Sequence, residues 1–303
     1  MAINQLALPE ELVTDMFDTV NGKSSVAVLA QSKPIPFAGT KEFVFSLDDD
    51  VSIVGEGEGK PANAGHFTPV VITPFKMVYQ LRVSSEFVHS SDEARIGYMQ
   101  RFAAGFAKKM ARGLDIAAFH GLNPKTKTPA TLLAGKSFDA RITNVVTYDA
   151  TQPDDNLDAA IQMITTGQRE FNGIAMSDAF GAAMARVKVN GVVQYPEFRF
   201  GGAPGAFAGI PLSKNNTLPI TDTTSGASVR ADHAIVGDFQ NAFKWGYAKN
   251  IPLEVIEYGD PDGTGRDLKY YNEVCLRAEA FLGFGILDIA SFAMIKAAAT
   301  TNS

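Results

Sequence analysis

Residues 41–87 read KEFVFSLDDDVSIVGEGEGKPANAGHFTPVVITPFKMVYQLRVSSEF. Two long apolar-rich arms, Phe43–Val54 and Phe67–Val83, flank a loop that holds Gly55, Gly57, Gly59, Pro61 and Gly65. That is the pattern of a long β-hairpin. A two-stranded hairpin alone in water is marginally stable at best. These arms therefore need a surface to lie on, supplied by their own domain or by another copy of the chain.

Just downstream, Ser90 and Glu93 have the spacing of a capping box, ahead of a helix predicted to last to about His120 and Gly121. Roughly 30 residues at about 1.5 Å each make a rod of roughly 45 Å. Met99, Phe102, Phe106, Met110 and Leu114 or Ala117 form its core-facing stripe. Gly97, Gly105 and Gly113 recur without forming one seam, and with Ala103, Ala104, Ala107 and Ala111 they predict close packing on several sides. Upstream, a short helix is predicted from Pro9 to Val20, with Leu12, Met16, Phe17 and Val20 on one side and Asn21-Gly22 ending it. Residues 23–40, with Pro34, Pro36 and Gly39, read as an extended arm with no core of its own, anchored on something else.

Beyond the long helix, residues 122–150 are loop-rich and mark a predicted domain boundary. A helix over 156–167, a buried strand Gly173–Met176 and a helix over 178–187 give βα character and suggest a mixed α/β unit. GGAPGAFAG (201–209) is turn-rich, and 234–238 and 243–247 are short apolar segments. Leu253–Tyr258 reads as a strand joined through a turn at Gly259–Gly263 to Lys269–Leu282. In that second hairpin Val274, Leu276, Ala278, Ala280 and Leu282 share one face, and Glu273, Arg277 and Glu279 the other. Ile286–Ala299 suits a short packed helix or strand.

The 303 residues, 46% hydrophobic and 20% charged, have an ordinary globular composition and a length suited to roughly two domains. A net charge of −6 argues against a broad phosphate-neutralising surface. The single Cys275 excludes an intrachain disulfide and a cysteine-based zinc site, and fits a reducing compartment. The N-terminus lacks a signal-peptide pattern. Ala278–Ala299 is interrupted by Glu279, Asp288 and Lys296, so no membrane span is predicted.

Nothing in the sequence assembles a catalytic, cofactor or metal site. Glu56 and Glu58 lie two apart on a glycine-rich tip, where solvent would keep their acidities alike. Gly59-Lys60 fails the phosphate-loop spacing and is followed by Pro61. His66, His89, His120 and His233 are scattered, with no zinc-hydrolase pairing. Asp260, Asp262 and Asp267 only loosely follow a calcium loop and read as a hairpin turn. Cys275 reads as a small core residue.

The order of these features, an arm, a long hairpin, a long helix, a mixed unit and a returning hairpin, resembles the major capsid proteins of tailed bacteriophages with the HK97 fold. The resemblance runs nearly end to end. It is carried by VGEGEGKPANAGHFTPVVITPFKMVYQLRVSSEFV (54–88), LDIAAFHGLN (114–123), HAIVGDFQNAFKWGY (233–247) and YYNEVCLRAEAFLGFGILDIASFAMI (270–295). It implies an α+β, HK97-like capsid fold with an N-terminal arm (1–40) and an extension-loop β-hairpin (41–87). A peripheral domain with the spine helix (88–140 and 250–284) and a mixed α/β apical domain (141–249 and 285–303) complete it.

The implied function is a major capsid protein that self-assembles, as hexamers and pentamers, into an icosahedral head shell enclosing phage DNA. The extension loop would lie on an adjacent subunit. Candidate contact residues are Gly55, Glu56, Gly57, Glu58, Gly59, Lys60 and Phe67 on the first hairpin, and Asp260, Asp262 and Arg266 on the second. The resemblance further implies a virion protein assembled in the bacterial host cytoplasm, with portal and decoration proteins as partners. Double-stranded DNA would be enclosed without sequence-specific binding, with no membrane and no cofactor involved. Some members carry a long N-terminal scaffolding segment that is cut off; here scaffolding is expected from a separate protein or none. Lys60 and Lys76 lie where some members cross-link, but no acceptor motif matches, so no covalent bond is expected. An encapsulin-type compartment, with residues 9–20 as a cargo-side helix, is the alternative reading. A carboxylate-dependent hydrolase using Glu56 or the acids at 260–267 is a remote one.

Overall fold

The structure is a computed structural model and describes residues 20, 23–47, 51–62, 65–86, 92–221, 228–249 and 253–298. The predicted helix over 9–20, apart from the buried Val20, lies outside them, as do Ser90 and the side chain of Glu93 from the predicted capping box.

The chain forms α1 (Ser25–Leu29), β1 (Thr40–Leu47), β2 (Gly65–Ile72), β3 (Phe75–Ser84) and α2 (Asp92–His120). Next come α3 (Phe138–Arg141), β4 (Val145–Thr147), α4 (Pro153–Thr166), β5 (Gly173–Met176) and α5 (Asp178–Met184). A small ribbon of β6 (Lys188–Val189) and β7 (Val192–Val193) leads to β8 (Ala206–Phe207), β9 (Ile210–Lys214) and β10 (Pro219–Thr221). The last strands are β11 (Ser228–Gly237), β12 (Phe243–Lys249), β13 (Leu253–Ile256), β14 (Glu273–Ile286) and β15 (Phe292–Lys296).

The hairpin differs from its predicted form in two respects: among the described residues the first arm, predicted to reach Val54, is a strand only to Leu47, with 51–54 in no strand, and the second arm divides. β1 and β2 pair antiparallel from Thr40↔Ile72 to Leu47↔Gly65, but the second arm is two strands, not one. It breaks at Thr73-Pro74, where proline has no N–H to continue a ladder. β3 then crosses to another sheet and pairs with β14 over its whole length, from Phe75↔Leu282 to Ser84↔Glu273.

β14 is therefore central. β3 covers one of its edges, and β13 and β12 share the other. Its 14 residues span about 46 Å, and the 29 residues of α2 span about 43 Å. The two are matched in length and pack together: Met99, Phe102, Phe106 and Met110 meet Leu276, Ala278, Ala280 and Leu282. Fully burying one such side chain stabilises by about 1.5–3 kcal/mol. Of the three spaced glycines only Gly113 sits in a close contact, where a Cβ would lie 3.3 Å from the Met77 sulfur. Gly97 and Gly105 face open space, contrary to the reading that all three allow close packing.

The second sheet runs β4-β15-β11-β5-β9-β8, with β10 beside β11. Leu157 and Ile164 of α4 and Phe180 of α5 pack on Ile174, Val236 and Ile295 from its strands. Between the two sheets lies an aromatic core in which Phe138 contacts Phe119, Phe239, Phe243 and Phe292 at centroid distances of 5.0–5.9 Å.

The arm is anchored as expected, yet it has buried residues of its own. Ser24 caps α1 by accepting from the Ala27 amide, and Val26 and Leu29 are buried. Lys33 and Ile35 then donate to the carbonyls of Trp245 and Tyr247 at 2.8 and 3.0 Å. Gly246, between those acceptors, has no room for a side chain, since a Cβ there would lie 1.7 Å from the Lys33 oxygen.

Candidate functional site

The first candidate is the hairpin tip. At its base Val70 and Ile72 are buried, and a Cβ on Gly285 would lie 2.8 Å from Ile72. Lys244 of β12 pairs with Glu42 at 2.5 Å. Toward the tip this support ends. Val51 is 93% exposed, Ile53 wholly so, and Phe43 and Phe67 each 70%. Gly57, at φ +85, closes the turn in which the Gly55 amide donates to Glu58 at 3.1 Å. Gly55 to Lys60 are all exposed. Among the described residues the tip presents apolar side chains that no buried cluster includes, and burial of such groups is the largest favourable term in association.

The second hairpin turn is organised by a residue of β3. Arg82 donates to Asp260 at 2.6 Å, to both Asp262 carboxylate oxygens and to Glu273 at 3.0 Å. Asp260 in turn accepts from the Gly265 amide at 2.6 Å. Two of the acids that loosely follow a calcium loop, Asp260 and Asp262, thus converge on a guanidinium of the same chain, while Asp267 accepts from the Tyr270 amide. Its hydrogen bonds hold Asp262 well below the ordinary carboxylate range. Arg266 donates to Glu273 at 2.8 Å and lies 4.3 Å from the Tyr271 ring centroid.

Two buried polar centres escaped the sequence reading, and both start from LDIAAFHGLN. Asp115 is fully buried and accepts five hydrogen bonds. Ser24 Oγ and the Val26 amide reach one oxygen at 2.5 and 3.1 Å. The Ser25 amide, Asn215 Nδ2 and Thr217 Oγ1 reach the other at 2.9, 2.8 and 3.2 Å. Burial pushes its acidity constant up, and these donors work against that. One carboxylate thereby ties the arm, α2 and the loop before β10 together.

One and a half turns on, His120 Nδ1 lies 2.8 Å from Asp139 and 3.3 Å from Asp232, while Nε2 lies 3.0 Å from the Thr217 carbonyl. A carbonyl only accepts, and so does an ionised carboxylate, so both ring nitrogens carry protons and the ring is an imidazolium. Burial alone would lower its pKa, but the hydrogen bonds of Asp139 and Asp232 outweigh it and raise the value to about 9. Asp139 resists burial through its bonds to His120, Lys296 at 2.7 Å and Arg230 at 3.0 Å, which hold it well below the usual range. His120, Asp139 and Asp232 are close enough together to suggest a cation site. Their positive partners are already in place, and a doubly protonated imidazole has no lone pair to give. The cluster is a clamp joining the end of α2 to α3, β11 and β15.

Of the other predicted features, Cys275 is buried in β14 as expected. His233 stacks on Tyr148 at 3.7 Å. His66, apart from its strand pairing, and His89 lie outside the described residues.

A body with its own cores that holds out an exposed apolar hairpin has a surface left for contact with a further chain. The comparisons with known proteins name the family. The phage capsid family model matches residues 4–297, and the chain belongs to that family, as a virion component with the HK97-like capsid fold. It is similar to a solved chain of Mycobacterium phage Ogopogo, at 30% identity over 91% of this chain and 92% of that one, with a TM-score of 0.75. A chain of Gordonia phage Cozz is 25% identical over 91% and 87%, also at 0.75. The capsid of a native GTA particle shares the fold at 15% identity and a TM-score of 0.61, over 93% and 91% of the two chains. No curated protein sequence matches. Among the described residues, no helix is long and apolar enough to cross a membrane.

Proposed function

We propose that this capsid protein is the major subunit of an icosahedral head, arranged as hexamers and pentamers around double-stranded DNA, with each hairpin laid over an adjacent subunit. The observation that carries this reading is the tip itself, where Val51, Ile53 and Phe67 stay exposed while the hairpin base is buried. Gly55–Lys60 and Phe67 are its contact residues, met by the Asp260, Asp262 and Arg266 turn. The peripheral unit comprises 88–140 and 250–284, in keeping with the packing of α2 on β14. The apical unit comprises 141–249 and 285–303, in keeping with the core under α4 and α5. A net charge of −6 suits a shell that encloses DNA without gripping its sequence. Assembly takes place in the host cytoplasm, and a separate scaffolding protein, a portal and decoration proteins complete the particle. Electron microscopy of the purified protein tests the reading: closed icosahedral particles are expected, and a population of stable monomers would refute it.

A further inference from the structure

Phe200 stands out in two ways. It is 99% exposed, and its backbone sits at φ 56, ψ 31, a left-handed conformation that bulky side chains avoid. Neither feature comes from a loose loop. Two residues earlier Phe198 is buried, with its ring 5.6 Å from Phe207. On the other side Gly202 donates to Arg199 at 3.0 Å, and a Cβ on Gly202 would lie 2.1 Å from the Glu197 oxygen. Lys214 donates to the Gly201 carbonyl at 3.1 Å. The turn is pinned at both ends, and it holds an aromatic ring out into solvent at a conformational cost that no burial within the chain offsets. Backbone strain of this kind, kept by its surroundings, is a mark of function.

Phe200 also borders an open groove of about 420 Å³, lined by Ala182 of α5, by Ala185 just past its end and by Phe198 beneath, with Arg186, Arg199 and the Lys214–Asp178 ion pair around it. Arg199 already lies 5.3 Å from the centroid of its own Phe200. One chain thus carries a projecting ring beside a recess with an alanine floor and mostly cationic edges, Asp178 being paired there with Lys214, and the ring does not fill its own recess.

We propose that Phe200 is an assembly anchor, its ring seating in the groove of an adjacent copy against Ala182 and Ala185 of that copy. The electrostatics fit, because the electron-rich face of an aromatic ring is attracted to a guanidinium, here Arg186 of the adjacent copy. The inference rests on the shell-forming reading above and assigns it a specific contact.

The test uses full-length subunits of the wild type, Phe200→Gly and Ala182→Trp, the last filling the groove from an exposed helix position. Thermal melts of unassembled subunits are paired with sedimentation and electron microscopy of assembly. Glycine removes the strain, so Phe200→Gly subunits are expected to melt no lower than wild type and yet to lose at least ten-fold in assembled fraction. Ala182→Trp is expected to lose a similar amount. A Phe200→Gly subunit that melts lower would make the ring an intrachain structural element and overturn the proposal. Either variant assembling at wild-type yield would overturn it too. Failure of the wild type itself to form shells would instead refute the shell reading.

Discussion

His120 Nδ1 donates to Asp139 Oδ2 at 2.8 Å, and Nε2 of the same ring donates to the Thr217 carbonyl at 3.0 Å, which fixes a positive charge inside the molecule at the end of its longest helix. Asp139 and Asp232 face this charge, and Arg230 and Lys296 balance the two carboxylates.

The consequence for pH dependence has a definite sign. The folded pKa of about 9 lies above the unfolded value, which is about 6.5. The clamp's contribution is therefore fully present below about pH 6.5 and is lost as pH rises toward 9. A difference of this size corresponds to about 3 kcal/mol. The melting temperature of wild-type subunits is expected to fall across that window, and His120→Gln should flatten the profile. An equally steep fall in His120→Gln would show that another group is responsible.

Asp115 predicts a different failure. Replacing it with alanine leaves two amides, two hydroxyls and an amide side chain in the interior without their acceptor. The expected cost is at least about 3 kcal/mol, read from urea unfolding. Because the bonds lead to Ser24, Ser25 and Val26, protease sensitivity should rise first in the arm. Loss of stability with an arm as protected as in wild type would argue against this link.

At the second hairpin, Arg82→Gln removes the cation on which Asp260, Asp262 and Glu273 converge. The cluster lies at the surface and is partly covered, its side chains 15–28% exposed, so the effect is expected first in the turn and only modestly in global stability. Hydrogen exchange at the Gly265 amide, now bonded to Asp260 at 2.6 Å, should quicken. Unchanged exchange would mean that the turn holds without Arg82.

What the sequence revealed and concealed follows from distance along the chain. The α2 stripe from Met99 to Ala117 and the alternation Val274 to Leu282 are periodic and local, so they could be read directly. The break at Pro74 was hidden because apolar residues continue on both sides of it; the proline was the available signal. α1 has five residues, too few for a period to show. Asp115 and His120 find their partners among residues remote in sequence. What could have pointed to them was an acid and a histidine inside the otherwise apolar run LDIAAFH, where an uncompensated polar side chain would be costly. The strain at Phe200 leaves no mark in composition at all.

The hairpin tip separates subunit stability from assembly most cleanly. Val51 and Ile53 touch no core in the subunit, so Val51→Ser with Ile53→Ser should change its unfolding free energy by no more than about 0.5 kcal/mol. If the tip lies on a neighbour, the same pair removes apolar area from an interface repeated across the whole shell. Small losses per contact are multiplied in a closed shell, because each subunit both gives and receives a hairpin. Sedimentation of the double variant should then show subunits or small oligomers under conditions where wild type closes. A variant that assembles as well as wild type would remove the tip from the interface, and a variant that unfolds would place these residues in the subunit's own core.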